Sequence, residues 1–224
     1  FRYCFKNLSD LRVYPFPYLL ITATLPPTLE ISLKSIFQIP NAKVIRNIMP
    51  RGNLKFQVVN VHDQDLFNEF SKFLSTILAS SDPTSKILVI TRSIKECQEL
   101  HKSFEVSTLY HSQLSREERS KNSNSFKLSC NLMFSTSGFG TGINIPNIRF
   151  VIHFGHPYSL IQYTQESGRA GRDGLESSCV LFFSKSNPKV VVDETLKSFL
   201  NLETCRRVYL TKEIDGVDSF LVIL

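Results

Sequence analysis

The sequence predicts an α/β protein built on an open sheet of parallel strands. Three observations lead there. Short apolar runs alternate with helix-spaced segments between residues 56 and 183. One of those runs, Lys86-Ile87-Leu88-Val89-Ile90, is continuously apolar after its lysine, as strands buried on both faces are. The segments between runs carry helical periodicity, which is how parallel strands are joined.

Taken in chain order, Tyr18-Leu19-Leu20-Ile21 reads as a short buried strand, ended by Thr22-Ala23-Thr24 and then broken by Pro26-Pro27. Residues 28–37 place Leu29, Leu33, Ile36 and Phe37 at helical spacing, and Pro27 suits a first helical turn. Val44-Ile45 and 56–61 read as strands. Pro50-Arg51-Gly52-Asn53 between them is the best candidate domain boundary. Residues 65–79 repeat Leu66, Phe67, Phe70, Phe73, Leu74, Ile77 and Leu78 at helical spacing. After the strand at 86–90, residues 93–104 return to helix and 107–110 form a short strand. Ser115-x-x-Glu118 is a capping-box pattern ahead of a helix that runs to Phe126. Strands follow at 131–135, 150–154 and 178–183, with a helix near 189–201 and an irregular tail.

The chain has 224 residues, 42% hydrophobic and 21% charged, which argues against disorder and low complexity. The length suits one large domain or two smaller ones. Twenty-six Lys and Arg against 20 Asp and Glu leave +6, compatible with a polyanionic partner without requiring one. Cys4, Cys97, Cys130, Cys179 and Cys205 are scattered and odd in number, with no C-x-x-C pair. That argues against a disulfide framework or a complete zinc site and favours a reducing compartment. No apolar stretch approaches membrane-spanning length, so no membrane partner is expected. The first residues, Phe1-Arg2-Tyr3-Cys4, lack Met and resemble no signal peptide, so an internal piece of a longer protein is expected.

In open α/β sheets, ligands sit at the carboxyl ends of strands, which directs attention to two segments. The first is Ser135-Thr136-Ser137-Gly138-Phe139-Gly140-Thr141-Gly142-Ile143-Asn144. Glycines at alternate positions allow close approach of the backbone, and the hydroxyls of Thr136 and Thr141 suit phosphate oxygens. A plain flexible connector explains the spacing equally well. It is not a Walker A loop, because no G-K-[ST] follows. The second is Gln165-Glu166-Ser167-Gly168-Arg169-Ala170-Gly171-Arg172-Asp173-Gly174. On a helix, Gln165, Arg169 and Arg172 would share one face and present donors to a polyphosphate. Gly168 and Gly171 would each weaken such a helix by about 1 kcal/mol, so a close approach to another surface should offset them. The bland alternative is a solvated basic turn. Arg92 and Ser93 follow a strand and could touch phosphate, though lone surface arginines are common. His111, at another strand end, is as well explained by a structural role. His153 and His156 lack a third ligand for a metal, and Lys185 to Lys189 reads as a solvated loop.

Two stretches carry a resemblance. Asn144-Ile-Pro-Asn-Ile-Arg149-Phe-Val-Ile-His153-Phe and Gln165-Glu-Ser-Gly-Arg-Ala-Gly-Arg-Asp-Gly174 resemble motifs V and VI of the RecQ family of DNA helicases. Thr22-Ala23-Thr24 resembles motif III. Tyr110-His111-Ser112-Gln113-Leu114 resembles the YHAGL segment, Arg51-Gly52-Asn53-Leu54 the segment joining the two lobes, and Cys205-Arg206-Arg207 the start of the zinc subdomain. The variant spellings resemble divergent fungal-type members. Departures exist: Thr141 stands where the family has the Met of FGMG, and Val89-Ile90 replace an aromatic-Cys pair in motif IV. The 224 residues hold no Walker A loop, no DExH box and no Trp, and no cysteine follows Cys205 to complete a zinc site.

The resemblance implies a RecA-like parallel sheet flanked by helices, the second lobe of a superfamily 2 helicase. It divides the chain into 1–49 (end of lobe one), 50–54 (interlobe linker), 55–186 (helicase C-terminal domain) and 187–224 (incomplete start of a zinc subdomain). It implies an ATP-dependent 3′–5′ DNA helicase as parent, with ATP and Mg²⁺ bound mainly through the missing N-terminal lobe. Partners would be single-stranded DNA and duplex junctions, and the setting nuclear genome maintenance. By the same resemblance, Arg172 is the arginine finger. Arg169 touches or braces the phosphates, and Gln165 couples nucleotide to closure. Gly140, Gly142, Asn144, Gly168 and Gly171 line the nucleotide side. Thr22, Thr24, Arg92, Ser93, His111, Thr136 and Gly138 face nucleic acid. No metal ligand is expected. Two rivals stand beside this reading: a non-catalytic remnant or nucleic-acid-binding module, and an RNA helicase of the DEAD or DEAH type.

Overall fold

The computed structural model describes residues 7–10, 13–14, 17–46, 51–139, 144–184 and 193–217. It separates into two units, residues 51–202 in one and residues 1–50 with 203–224 in the other.

The larger unit is a six-stranded, all-parallel sheet in the order β1-β6-β5-β2-β4-β3. Its strands are β1 (Leu54–Val61), β2 (Lys86–Thr91), β3 (Thr108–Tyr110), β4 (Leu132–Thr136), β5 (Ile148–Phe154) and β6 (Ser177–Ser184). α2 (Leu66–Ser80), α3 (Ile94–Ser103), α4 (Arg116–Leu128) and α5 (Leu160–Ser167) make the crossovers. β2 is buried at every position, as its unbroken apolar run predicts. Its side chains alternate between two cores. Ile87 and Val89 meet Phe70, Leu74 and Ile77 of α2 and Cys97 and Leu100 of α3. Leu88 and Ile90 meet Phe126 of α4, Phe139 and Ile145. On the first face the Phe70 ring stands edge-on to Phe154 at 4.7 Å and to Phe182 at 5.6 Å, a favoured aromatic geometry.

Local signals set the helix starts. Ser115 and Glu118 form the predicted capping box, with reciprocal bonds of 3.1 and 2.8 Å. Ser93 and Glu96 form a second one at α3, at 3.1 and 3.0 Å. α6 (Glu194–Leu200) opens on Asp193, whose carboxylate accepts from the Leu196 N–H. It packs on α5 through Phe199 and Tyr163. The helix expected near 189–201 is thus shorter, and residues 185–192, with the Lys185 to Lys189 cluster, lie outside the described residues.

In the smaller unit, α1 (Pro27–Ile36) begins at the predicted proline. Arg46 ties the following segment back to it, donating to Glu30 at 2.6 Å and to the Leu25 carbonyl at 2.7 Å. α7 (Arg206–Leu210), which buries Leu210, continues into a π-helical turn, Thr211–Asp215, which buries Thr211 and Ile214.

Two expected strands do not form. Residues 18–21 are irregular and exposed, Leu19 at 81% and Ile21 at 85%, and so are Val44 and Ile45. A strand exists through its pairing, and among the described residues neither segment has a ladder partner. Cys4 and the tail 218–224 lie outside the described residues.

Candidate functional site

Strand direction places the candidate residues at two edges of the sheet. β5 alone, seven residues long, spans about 20 Å between them.

At the carboxyl edge lie the ends of β2, β3 and β4. Arg92 is half-buried, its guanidinium 4.6 Å above the Tyr158 ring, and its carbonyl accepts from the Tyr158 hydroxyl at 3.2 Å. Ser93 is exposed but its hydroxyl is engaged in capping α3. Thr136 is half-buried and Gly138 exposed, with open space where a side chain would stand. Phe139 follows, 3% exposed, and pins the loop with its ring edge-on to Tyr110 at 5.0 Å and Phe126 at 5.9 Å. His111 is 2% exposed, and neither ring nitrogen has a hydrogen-bond partner among the described residues. Burial holds its pKa below the ordinary histidine value, against a smaller opposing pull from Glu118. The ring therefore underlies this edge rather than forming its surface. Gly140, Thr141 and Gly142 lie outside the described residues.

At the amino edge lies the loop 168–174. α5 ends at Ser167, and the chain then turns tightly, with Arg169 N–H bonding the Glu166 carbonyl and Ala170 N–H the Ser167 carbonyl. Gly171 adopts φ +52°, which ends any helical path. Gln165, Arg169 and Arg172 are therefore not one face of a helix, and the segment is not a strand-end loop. It follows α5, which returns towards the starts of β5, β6 and β1. Gly171 N–H bonds the Ile148 carbonyl at the beginning of β5. A Cβ on Gly171 would lie 2.5 Å from Asn53 Nδ2, 2.6 Å from Ser177 Oγ and 2.7 Å from the Leu175 carbonyl. The close approach that its glycine called for is there. Gly168 caps α5 in an ordinary helical conformation.

Three residues that sequence reasoning assigned no site role hold this loop. Arg51 donates to the carbonyls of Gly168 (3.4 Å), Ala170 (2.5 Å) and Gly171 (3.1 Å). Asn53 Nδ2 donates to those of Gly171 (2.8 Å) and Leu175 (2.9 Å). Arg149 pairs with Asp173 and donates to Ser177 Oγ at 3.0 Å. Burial alone would raise the Asp173 pKa, but the bonds from Arg149 and the Leu175 N–H hold it below the ordinary carboxylate value. A charged residue inside the apolar run of β5 was the available signal for Arg149. Arg51 and Asn53 carried only their resemblance to the interlobe segment, which marked a boundary and not a contact with this loop.

Arg172 is exposed and donates to Asn144 Oδ1 at 3.3 Å, bringing the two motif-bearing segments into contact. Arg169 is half-buried, and its Nε has no hydrogen-bond partner among the described residues. Burial lowers its pKa, Glu166 opposes that, and Arg172 adds to it. A guanidinium so placed remains a cation and is a ready donor to an anion. Gln165 is exposed in the last turn of α5. Beneath that turn, Glu166 and His153 form a buried pair at 2.9 Å, and Gln162 donates to the other carboxylate oxygen at 2.9 Å. Thr22 and Thr24 belong to the smaller unit, where the Thr22 hydroxyl accepts from Thr24 N–H at 3.2 Å and donates to the Thr24 carbonyl at 3.0 Å. Among the described residues no group of three His, Cys, Asp or Glu could hold a metal ion.

Comparison with known proteins gives a consistent picture. Residues 68–174 match the helicase conserved C-terminal domain. The chain is 32% identical over 197 residues to the RecQ-like DNA helicase blm-1 of Caenorhabditis elegans, covering 82% of this chain and 19% of that protein. It is 31% identical to the ATP-dependent DNA helicase RecQ of Bacillus subtilis, covering 82% of this chain and 31% of that protein. A protein of Acanthamoeba polyphaga mimivirus, named as an ATP-dependent RNA helicase, is 28% identical over 89% of this chain and 39% of its own length. The chain thus spans well under half the length of each of these relatives.

Proposed function

For a chain that belongs to the RecQ-like helicase family through its helicase C-terminal domain, we propose the role of second motor lobe in an ATP-dependent 3′–5′ DNA helicase. The observation that carries this is the loop 168–174. Two arginines stand on a turn fixed from below by Arg51, Asn53 and Arg149, and one of them reaches Asn144 of the neighbouring segment.

The residues divide the work between the two edges. ATP, held with Mg²⁺ mainly by a first helicase lobe, supplies the phosphoanhydride that is cleaved. Arg172, exposed and on a rigid turn, is the arginine finger that meets charge developing on the transferred phosphoryl group. Arg169, half-buried with an unpartnered Nε, binds phosphate oxygens already in the ground state. Its desolvation strengthens that contact. Gln165, one turn before Arg169, faces the nucleotide with it. Asn144 bonds Arg172 from the segment that returns from the carboxyl edge, so it links the nucleotide edge to the edge that takes DNA. There Arg92, Ser93, Thr136 and Gly138 meet the sugar-phosphate backbone of a single strand, with His111 beneath them. Thr22 and Thr24 couple hydrolysis to strand movement from the smaller unit. Backbone contact without base readout is what a translocating motor requires. The parent would act on single strands and duplex junctions in genome maintenance, in the nucleus.

The test is reconstitution. The purified chain alone should show negligible ATP turnover, because its 224 residues contain no G-x-x-x-x-G-K-[ST]. Joined to a first helicase domain that carries this loop and a DExH box, it should hydrolyse ATP on addition of single-stranded DNA and unwind 3′-tailed duplexes. DNA-stimulated turnover by the chain alone would overturn the division of labour. Stimulation by RNA but not DNA would favour the second reading, an RNA helicase, which the name of the mimivirus relative motivates.

A further inference from the structure

The first residue of the larger unit is Arg51, and its two terminal guanidinium nitrogens donate to three main-chain carbonyls of the arginine-bearing loop. The choice of carbonyls is informative. The Gly168 carbonyl belongs to the peptide that leads into Arg169, and the Gly171 carbonyl to the peptide that leads into Arg172. The third, at Ala170, belongs to the peptide whose N–H bonds Ile148 on β5. Asn53 adds a second bond to the Gly171 carbonyl and one to Leu175. Its own carbonyl accepts from Ser177 N–H at the start of β6. The peptide plane that precedes each arginine is thus gripped from the chain segment that enters the sheet at β1. A guanidinium can do this because it offers five donors in a rigid plane, and a cation is favoured at the carbonyl end of α5.

We propose that Arg51, supported by Asn53, is a positioning residue for the nucleotide-facing arginines: it sets where Arg169 and Arg172 point and ties them to the segment by which the chain enters this unit. The proposal rests on reading 168–174 as a polyphosphate-facing loop. It adds that the loop does not hold its own shape. Any displacement of residue 51 by the preceding chain moves both arginines together, a mechanical link between the start of the lobe and the phosphates.

The experiment uses the chain itself, with amide hydrogen exchange resolved along the sequence and binding of inorganic tripolyphosphate. In Arg51→Ala, amides of 168–175 should exchange about tenfold faster, while those of β2 and β5 keep wild-type protection. Tripolyphosphate affinity should fall about tenfold although Arg169 and Arg172 are intact, since binding must then order side chains that Arg51 no longer holds. Arg51→Lys, with one compact ammonium for three carbonyls, should fall between. Asn53→Ala should reproduce the local exchange effect more weakly and serves if Arg51→Ala does not fold. Wild-type exchange and affinity in Arg51→Ala would overturn the proposal. So would faster exchange spread evenly over β2 and β5, the mark of a merely structural residue. The underlying reading fails separately: if Arg169→Ala binds tripolyphosphate as the wild type does, or if the wild type does not bind it, the loop does not face polyphosphate. The exchange pattern then decides by itself whether Arg51 holds the loop.

Discussion

Gly171 shows how a single position is specified. Its φ of +52° and the three polar atoms within 2.7 Å of an added Cβ leave room for hydrogen alone. Gly171→Ala should cost at least about 2 kcal/mol, combining left-handed strain with displacement of Asn53 and Ser177. A denaturant titration at unchanged m-value would measure it. Arg172 makes a different prediction, because the task proposed for it concerns charge that appears only in the transition state. In the reconstituted two-lobed enzyme, Arg172→Ala should lower kcat by about 10³-fold or more with ATP affinity nearly unchanged. Arg169→Ala should instead weaken nucleotide binding. A kcat and Kd measurement on each variant separates the roles, and an equal loss of affinity in Arg172→Ala would reassign it to ground-state binding. The two arginines were legible in the sequence as a pair. Their support was not, because Arg51, Asn53 and Arg149 lie 24 to 119 residues from the groups they hold and are joined to the loop only by the fold.

At the level of elements, α4 depends on its ends more than on its face. It buries only Phe126 among its thirteen residues, and its sequence is rich in Ser, Asn and charged side chains. The Ser115–Glu118 box is therefore a large part of what starts it. Ser115→Ala should destabilise the unit by about 1 kcal/mol, and a thermal melt would register it as a shift of a few degrees. The elements that sequence reading recovered best are those with such local signals: the capping box of α4, the continuous β2 run and the proline start of α1. Residues 18–21 and 44–45 have equally apolar composition, yet they form no strand. Ladder formation depends on a neighbour, and apolarity alone does not supply one. The segment 165–172 failed in the opposite direction. Its helical spacing of Gln165, Arg169 and Arg172 is genuine, but the helix stops at Ser167 and Gly171 turns the chain away.

For the molecule as a whole, burial sorts the cysteines. Cys97 and Cys179 lie in opposite cores, and burial pushes both thiols up to about 12. Cys205 is exposed. At pH 8 a thiol reagent should label Cys205 quickly and leave Cys97 and Cys179 unmodified until the sheet unfolds, as peptide mapping would show. Early labelling of Cys97 would mean that the α3 face opens far below the global unfolding free energy. The sheet also organises function by its polarity. Parallel strands give it two chemically distinct edges, with the arginine loop at one and the ends of β2, β3 and β4 at the other. Asn144, ahead of β5, meets the arginine loop through Arg172.

The sequence by itself determined the fold class, the places of the six strands of the larger unit and the ten-residue motif that carries the two arginines. Each of those is written in local pattern: apolar periodicity, capping residues, a ten-residue motif. Only the tertiary structure decided that the motif lies on a turn at the amino edge, that His111 is buried beneath the opposite edge, and that Arg51 grips the loop. Those facts depend on which residues a parallel sheet brings together across more than a hundred positions. No spacing along a chain encodes that until the crossovers have set strand order.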